Sequence, residues 1–570
     1  MRRSVVGVLA VVLSGCMGMA KSAFHSPGAA DASITNNQEA GVDEGAIVKA
    51  HGDHLIVLRR GRLFSIRVGL AEVVPVSRID VTPPRGSKDT WYDEMLIHGN
   101  TVIVVGFSYG AGATELGMFD IDERGRLAHR STYYMRSNDY YSSRNYAGRV
   151  VGDTLIFYMP YYYESGEERS LPAIRAYDAG SDQWTRIIRT IEHPMFGKQK
   201  NVLHTVVRCD LRRKNGLACT ANGILGPYGR TFYVSPSAVY VWVSEEREAV
   251  AYRLPLDGTQ PLAVRAAGTP IDQFSFKESA DGNLDVLVRA DGRGDAMWGP
   301  ERGDGAVAHL RIPLASFARN PTVVPRERYR DLPKPDGHTV QNRFVGDYLL
   351  YGAGSGWGYN EKPTSVVYAT PITGAGASAT ALMLPHGVDR IEAMGRDAVV
   401  IGSDGKSLHF TSLDLDGAAE PAIVDAYVQQ GATQGELRSH GFFYKPDDEE
   451  PDEGILGLPV RGANQPGWAH LRRDSAAVVF LQVDRLKFRS LGALWAETPE
   501  VDDKCVASCV DWYGNARPIF YRGRIFALLG YELVEGAVQR AQIHTVRRTN
   551  FLNPLPKQST IATTPVATAK

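Results

Sequence analysis

The chain has 570 residues, and its 63 Lys plus Arg against 64 Asp plus Glu leave a formal net charge of -1. That balance excludes the basic footprint of a nucleic-acid-binding protein. The length suits two average domains or one large all-β ring.

Met1, Arg2 and Arg3 precede an apolar run from Val5 to Leu13 that is too short to cross a bilayer as a mature helix, so residues 1–15 read as a signal peptide. The run stops at Leu13-Ser14-Gly15-Cys16, which looks like a bacterial lipobox. Cleavage there makes Cys16 the expected lipidation site and mature N-terminus. Each buried acyl methylene contributes about 0.8 kcal/mol, so several chains hold a folded body at a membrane. Met17, where an aspartate would favour the inner membrane, predicts an outer-membrane lipoprotein whose body lies in the periplasm or at the cell surface. Residues 16–40 read as lipidated end and flexible tether, and residues 549–570 as a disordered tail. No second long apolar span lies between them.

From 41 to 548 a single unit recurs. Gly52-Asp53-His54-Leu55 precedes Ile56-Val57-Leu58, Gly99-Asn100-Thr101-Val102 precedes Ile103-Val104-Val105, and Gly152-Asp153-Thr154-Leu155 precedes Ile156-Phe157-Tyr158. These turn glycines are 47 and 53 residues apart, and Gly346 and Gly395 repeat the pattern at 49. Further hairpins fall at Ser235 to Val243, Asp281 to Val288, Asp474 to Phe480 and Gly523 to Leu529. A polar turn followed by β-branched and aromatic strands describes a small sheet that cannot bury its faces alone. Radial stacking of such sheets can, so the period predicts an all-β propeller. Nine hairpins with strands shared at the closure predict eight blades, with seven as the alternative count.

Asn36-Asn37-Gln38-Glu39-Ala40-Gly41-Val42-Asp43-Glu44-Gly45-Ala46-Ile47-Val48-Lys49 resembles the entry to the propeller domain of a family of secreted bacterial proteins. Ser439-His440-Gly441-Phe442-Phe443-Tyr444, with Gly454-Ile455-Leu456-Gly457-Leu458-Pro459-Val460, resembles that family's C-terminal Ser-His strand and the Leu-x-x-Pro-Val strand after it. The resemblance implies fold and export over roughly 40–545 and brings no chemistry with it. Read by themselves, Asp43 and Glu44 are a charged turn whose carboxylates accept backbone N–H groups or pair with Lys49.

The most unusual composition is the run Tyr133, Tyr134, Tyr140, Tyr141, Tyr146, Tyr161, Tyr162 and Tyr163, with Tyr158 inside it. These rings are read as a recognition surface for an envelope protein, peptide or glycan, against the alternative of packing under long loops. Asp291, Asp295 and Asp304 form a weak cation loop, with calcium the ion suggested; the spaced set and terminal glutamate of an EF-hand are missing. No other cofactor is indicated. Cys209 with Cys219, and Cys505 with Cys509, are expected to be two local disulfides in an exported body, since their spacing does not fit a zinc finger. Asp447 to Asp452 reads as a solvated acidic loop. His338, His386, His409, His440 and His470 show no metal spacing, and an extended Ser439-His440 would send its side chains to opposite faces. No nucleophile elbow, HExxH or phosphate loop is present, so no catalytic residue is assigned. The leading expectation is a lipid-anchored binding or scaffold module. The alternatives are a propeller hydrolase or cofactor-dependent oxidoreductase, and a structural envelope protein.

Overall fold

Where the sequence repeat places a glycine, the chain reverses after a first strand: Gly52, Gly99, Gly152, Gly346 and Gly395 take φ of 57°, 52°, 53°, 53° and 67°, a region in which a Cβ is costly. The computed structural model describes residues 33–552 apart from 85, 139–146, 178–182, 194–201, 214–215, 228–230, 246–247, 293–303, 338, 355–363, 375–377, 418–419, 449, 451, 463–476, 498–502 and 510–515. Among the described residues the strands make nine sheets, the blades of one all-β propeller. In chain order these are blade 1 (48–80), blade 2 (90–136), blade 3 (148–226), blade 4 (231–267), blade 5 (269–332), blade 6 (340–384), blade 7 (390–429), blade 8 (432–495) and blade 9 (516–550). First strands of neighbouring blades meet near the axis.

The core is divided in the same way. Nine apolar clusters are found among the described residues, and each is drawn from two adjacent blades, including one between blades 9 and 1. Side chains alternate across a strand, so a blade packed on both sides needs apolar residues at every position. The strand His54–Arg59 shows it: Leu55 and Val57 enter the cluster shared with blade 9, and Ile56 and Leu58 enter the cluster shared with blade 2.

The count of eight, or seven, blades is corrected to nine. It assumed that strands were shared at the closure, but the nine hairpins fall in nine separate sheets. Blade 1 and blade 9 each contain four strands from one continuous stretch of chain, and their seam is closed by side chains. Arg522 Nη1, Arg524 Nη1 and Arg547 Nη2 donate to the carbonyls of Val68, Gly69 and Ala71 at 3.2, 2.7 and 2.8 Å. Phe64 lies edge-on to Tyr531 and Phe551, with ring centroids 5.7 and 5.1 Å away.

Blades 2 and 3 are wider than the others. The connection after Thr154–Tyr162 adds Ala173–Ala176 and Thr185–Arg186 to the outer edge of blade 2 and Ile188–Glu192, in parallel, to blade 3. The body is also longer at both ends than the 41–548 read from the hairpins: Ile34, Phe551 and Leu552 are buried in the seam cluster.

Phe64→Ala is expected to lower the stability of the whole ring by about 3–5 kcal/mol, as for other buried aromatic truncations. Urea unfolding followed by tryptophan fluorescence measures this; an unchanged midpoint would show that the seam carries no load.

Candidate functional site at the ring axis

The segment before blade 1 makes a circuit inside the ring. Ile34 sits in the cluster between blades 9 and 1. Asn36 Nδ2 donates to Glu392 Oε2 of blade 7 at 3.0 Å and to the Ser439 carbonyl of blade 8 at 3.1 Å. Gln38 Nε2 donates to the Gln273 carbonyl of blade 5 at 2.9 Å, and Tyr233 of blade 4 donates its hydroxyl to Glu39 Oε1 at 2.6 Å. Val42 enters the cluster between blades 3 and 4. Asp43–Glu44 then pairs with Arg149 and Val150 as a further inner strand of blade 3, and Ala46 bridges to Met95 of blade 2 before Val48 opens blade 1. Residues 33–40, read above as tether, are therefore part of this hub.

The local sequence is explained by these neighbours. Gly41 turns the chain with φ 79°. Lys49 Nζ, itself buried, pairs with Asp43 Oδ1 at 2.7 Å and donates to Thr35 Oγ1 at 3.0 Å. A Cβ on Gly45 would stand 2.3 Å from Glu94 Cγ, and one on Gly148 would stand 2.3 Å from Glu94 Oε1, so the two glycines make the space that Glu94 fills.

Glu44 is the centre of the hub. Its side chain is 2% exposed; Oε2 lies 2.7 Å from His440 Nε2 and Oε1 lies 3.7 Å from Arg149 Nε. Arg149 Nη2 in turn donates to Gln273 Oε1 at 2.7 Å. Farther round, Glu392 is held by Arg343 at 2.7 Å and Arg390 at 2.8 Å, and Glu436 by Arg517 at 3.0 Å. Burial pushes the imidazolium of His440 below its ordinary range, against the pull of Glu44. Burial, with Asp93 beside it, pushes the Glu94 carboxyl up to about 7, although Gly148 N donates to its Oε1 at 2.7 Å.

Of the residues singled out from sequence, Glu44, Asp43, Lys49 and His440 come together here. Ser439–Gly441 is a 3-10 turn instead of the expected extended strand, and it is this turn that carries His440 to the axis. Arg149, Arg343, Glu392 and Glu94 were missed. A signal for three of them exists: like Lys49, they are ionisable residues three positions ahead of a turn glycine, on the first strand of their blade.

The tyrosine run is divided by the fold. Tyr134 is 3% exposed beside Tyr177, and Tyr133, on the other face of the same strand, packs on the core between blades 2 and 3. Tyr158 stacks on Phe232 with centroids 4.5 Å apart. Tyr161 and Tyr163 are half-buried, and Tyr162 is exposed. Tyr140, Tyr141 and Tyr146 lie outside the described residues, as do Cys16, Asp295, His338 and His470. Asp291 and Asp304 are register partners on adjacent strands of blade 5. Among the described residues no group of three His, Cys, Asp or Glu is placed to hold a metal ion. Both disulfides are formed, Cys209 to Cys219 and Cys505 to Cys509.

Comparison with known proteins agrees with this architecture. Residues 32–308 match a family model described as a beta propeller domain. The chain contains a β-propeller domain. Similar solved structures include a prolyl endopeptidase at 13% identity, covering 79% of this chain and 53% of that one with a TM-score of 0.34. Another is the apocarotenoid oxygenase of Synechocystis, at 10% identity, covering 79% and 74% with a TM-score of 0.25. This propeller chain thus spans about half the length of the endopeptidase. No curated protein matches it.

Glu94 gives the hub a pH signature. Its folded value of about 7 lies above the ordinary carboxyl value of 4.5, so its contribution to stability is present in full below 4.5 and is lost as the pH rises through 7. Glu94→Gln is expected to remove about 3 kcal/mol of that decline between these limits. Urea titrations across the range would show equal slopes for both proteins if Glu94 titrates normally.

Proposed function

We propose that this chain is a lipid-anchored, extracytoplasmic binding or scaffold module that recognises an envelope protein, peptide or glycan on one face of the ring, with its channel closed by its own N-terminal segment. The observation that carries this reading is Glu44 seated between His440 and Arg149. Acidic groups and a histidine from several blades do converge at the axis, as a channel hydrolase would require, but they are engaged with residues 33–47 and with one another. The channel groups therefore serve closure, and recognition falls to the rim.

Strand direction favours one rim over the other. The second strands all end, and the third strands all begin, at one end of the blades, and the longest stretches of chain between them are 163–201 in blade 3, which carries three short strands, 292–303 in blade 5, 354–364 in blade 6 and 463–476 in blade 8. Tyr162 ends the second strand of blade 3, and Tyr109 lies in the corresponding turn of blade 2; they are 56% and 53% exposed. Rigid amphipathic rings at this end of the blades suit protein or sugar recognition. The anchor at Cys16 and sorting to an outer membrane complete the proposal and rest on the leader sequence alone.

A photocrosslinking residue placed at Tyr162 or Tyr109 of the full-length protein in its native cells is expected to capture a discrete partner, whereas the same residue at Asp347, on the opposite rim, captures none. Cys16→Ala should move the protein from the membrane to the soluble fraction. Equal adducts from both rims would overturn the assignment of the face, and retention of the variant in membranes would overturn the anchor.

A further inference from the structure

The two disulfides differ in exposure: one pairs a buried with a half-buried cysteine, the other a half-exposed with an exposed one. Cys209 and Cys219 face each other across the strands Val202–Asp210 and Ala218–Gly226, and Cys209 is fully buried in the cluster between blades 2 and 3. Cys509 is exposed and Cys505 half-exposed, in the loop that leads from blade 8 into blade 9.

Residues 503–509 of that connection reach across the closing seam. Asp503, 9% exposed, stands 3.0 Å from Arg60 Nη1 of blade 1, and Cys505 Sγ lies 3.6 Å from the Arg60 carbonyl. Ala507 is buried in the cluster between blades 1 and 2, close enough to Gly61 that a Cβ there would meet the Ala507 carbonyl at 2.7 Å. Ser508 clasps the first strand of blade 2: its Oγ accepts from Tyr92 N at 3.2 Å and donates to Tyr92 O at 3.1 Å. Lys504 and Ser508 take φ of 52° and 54°, a left-handed conformation unfavourable to side chains. The loop is therefore held in a costly shape by its cross-link and by contacts with two blades that are not its own.

We propose that Cys505–Cys509 is a reducible latch across the seam, addressed by a dithiol reductant, and that opening it frees residues 503–509 from blades 1 and 2. A thiolate of the reductant attacks the exposed Cys509 sulfur and breaks the S–S bond, and the Cys505 thiolate leaves and takes a proton. The second thiolate of the reductant then displaces Cys509, which takes the second proton. Two electrons pass to the protein, which holds two thiols, and the reductant leaves as its own disulfide. Cys209–Cys219 offers the same attack only the half-buried Cys219 sulfur, the Cys209 sulfur being shielded by burial.

The test is dithiothreitol titration of the folded full-length chain, with differential alkylation read by mass spectrometry and amide hydrogen exchange followed at Tyr92. Cys505 and Cys509 are expected to be alkylated at a reductant concentration about tenfold below that needed for Cys209 and Cys219. Exchange at the Tyr92 amide should rise about tenfold in step, while exchange at Gly148 in the hub stays unchanged. Ser508→Ala, with the disulfide intact, should raise Tyr92 exchange without reductant. Joint reduction of both disulfides would overturn the proposal, as would Tyr92 exchange that responds neither to reduction nor to the variant, or to the variant alone.

Discussion

A carboxylate that is 2% exposed is stable only where charged partners and hydrogen bonds replace the water it has lost, and Glu44 obtains these from opposite sides of the ring. His440 comes from blade 8 and Arg149 from blade 3, and the backbone of Glu44 is itself part of blade 3. None of these groups could be buried without the others. The axis therefore forms as a unit, and the circuit from Ile34 to Ala46 fixes its geometry.

This dependence accounts for how nine blades close. A ring can be shut by lending a strand from one end of the chain to the sheet at the other, but here the first and last blades each keep their own four strands. The N-terminal segment instead touches blades 9, 8, 7, 5, 4, 3 and 2 before entering blade 1, and blade 6 is tied in where Arg343 reaches the Glu392 carboxylate that also accepts from Asn36. Outside the axis, the arginine-to-carbonyl bonds and the Phe64, Tyr531 and Phe551 rings complete the seam.

The repeat was legible because its causes are local: a left-handed glycine, then alternating side chains that are apolar on both faces. The blade number was misread because closure is a property of the two ends together, and a turn motif carries no record of which sheet its strand joins. The same limit explains the hub. Asn36, Gln38 and Glu44 meet partners 356, 235 and 396 positions away, so a window of sequence shows a charged turn and nothing of what it binds. The two segments carrying the family resemblance, around Glu44 and around His440, are in fact the two halves of one contact. The tyrosines divide for a related reason: Tyr134 and Tyr162 both lie on strands, but only burial by a neighbouring blade distinguishes a core ring from a surface one.

The most direct measurement is a double-mutant cycle on Glu44→Ala and His440→Ala, read from urea unfolding at neutral pH. If the axis forms as a unit, each single change costs about 3–5 kcal/mol and the pair shows a coupling of about 2 kcal/mol or more. Additivity within about 0.5 kcal/mol would mean that the two residues stabilise the ring independently and that the hub is not its organising contact.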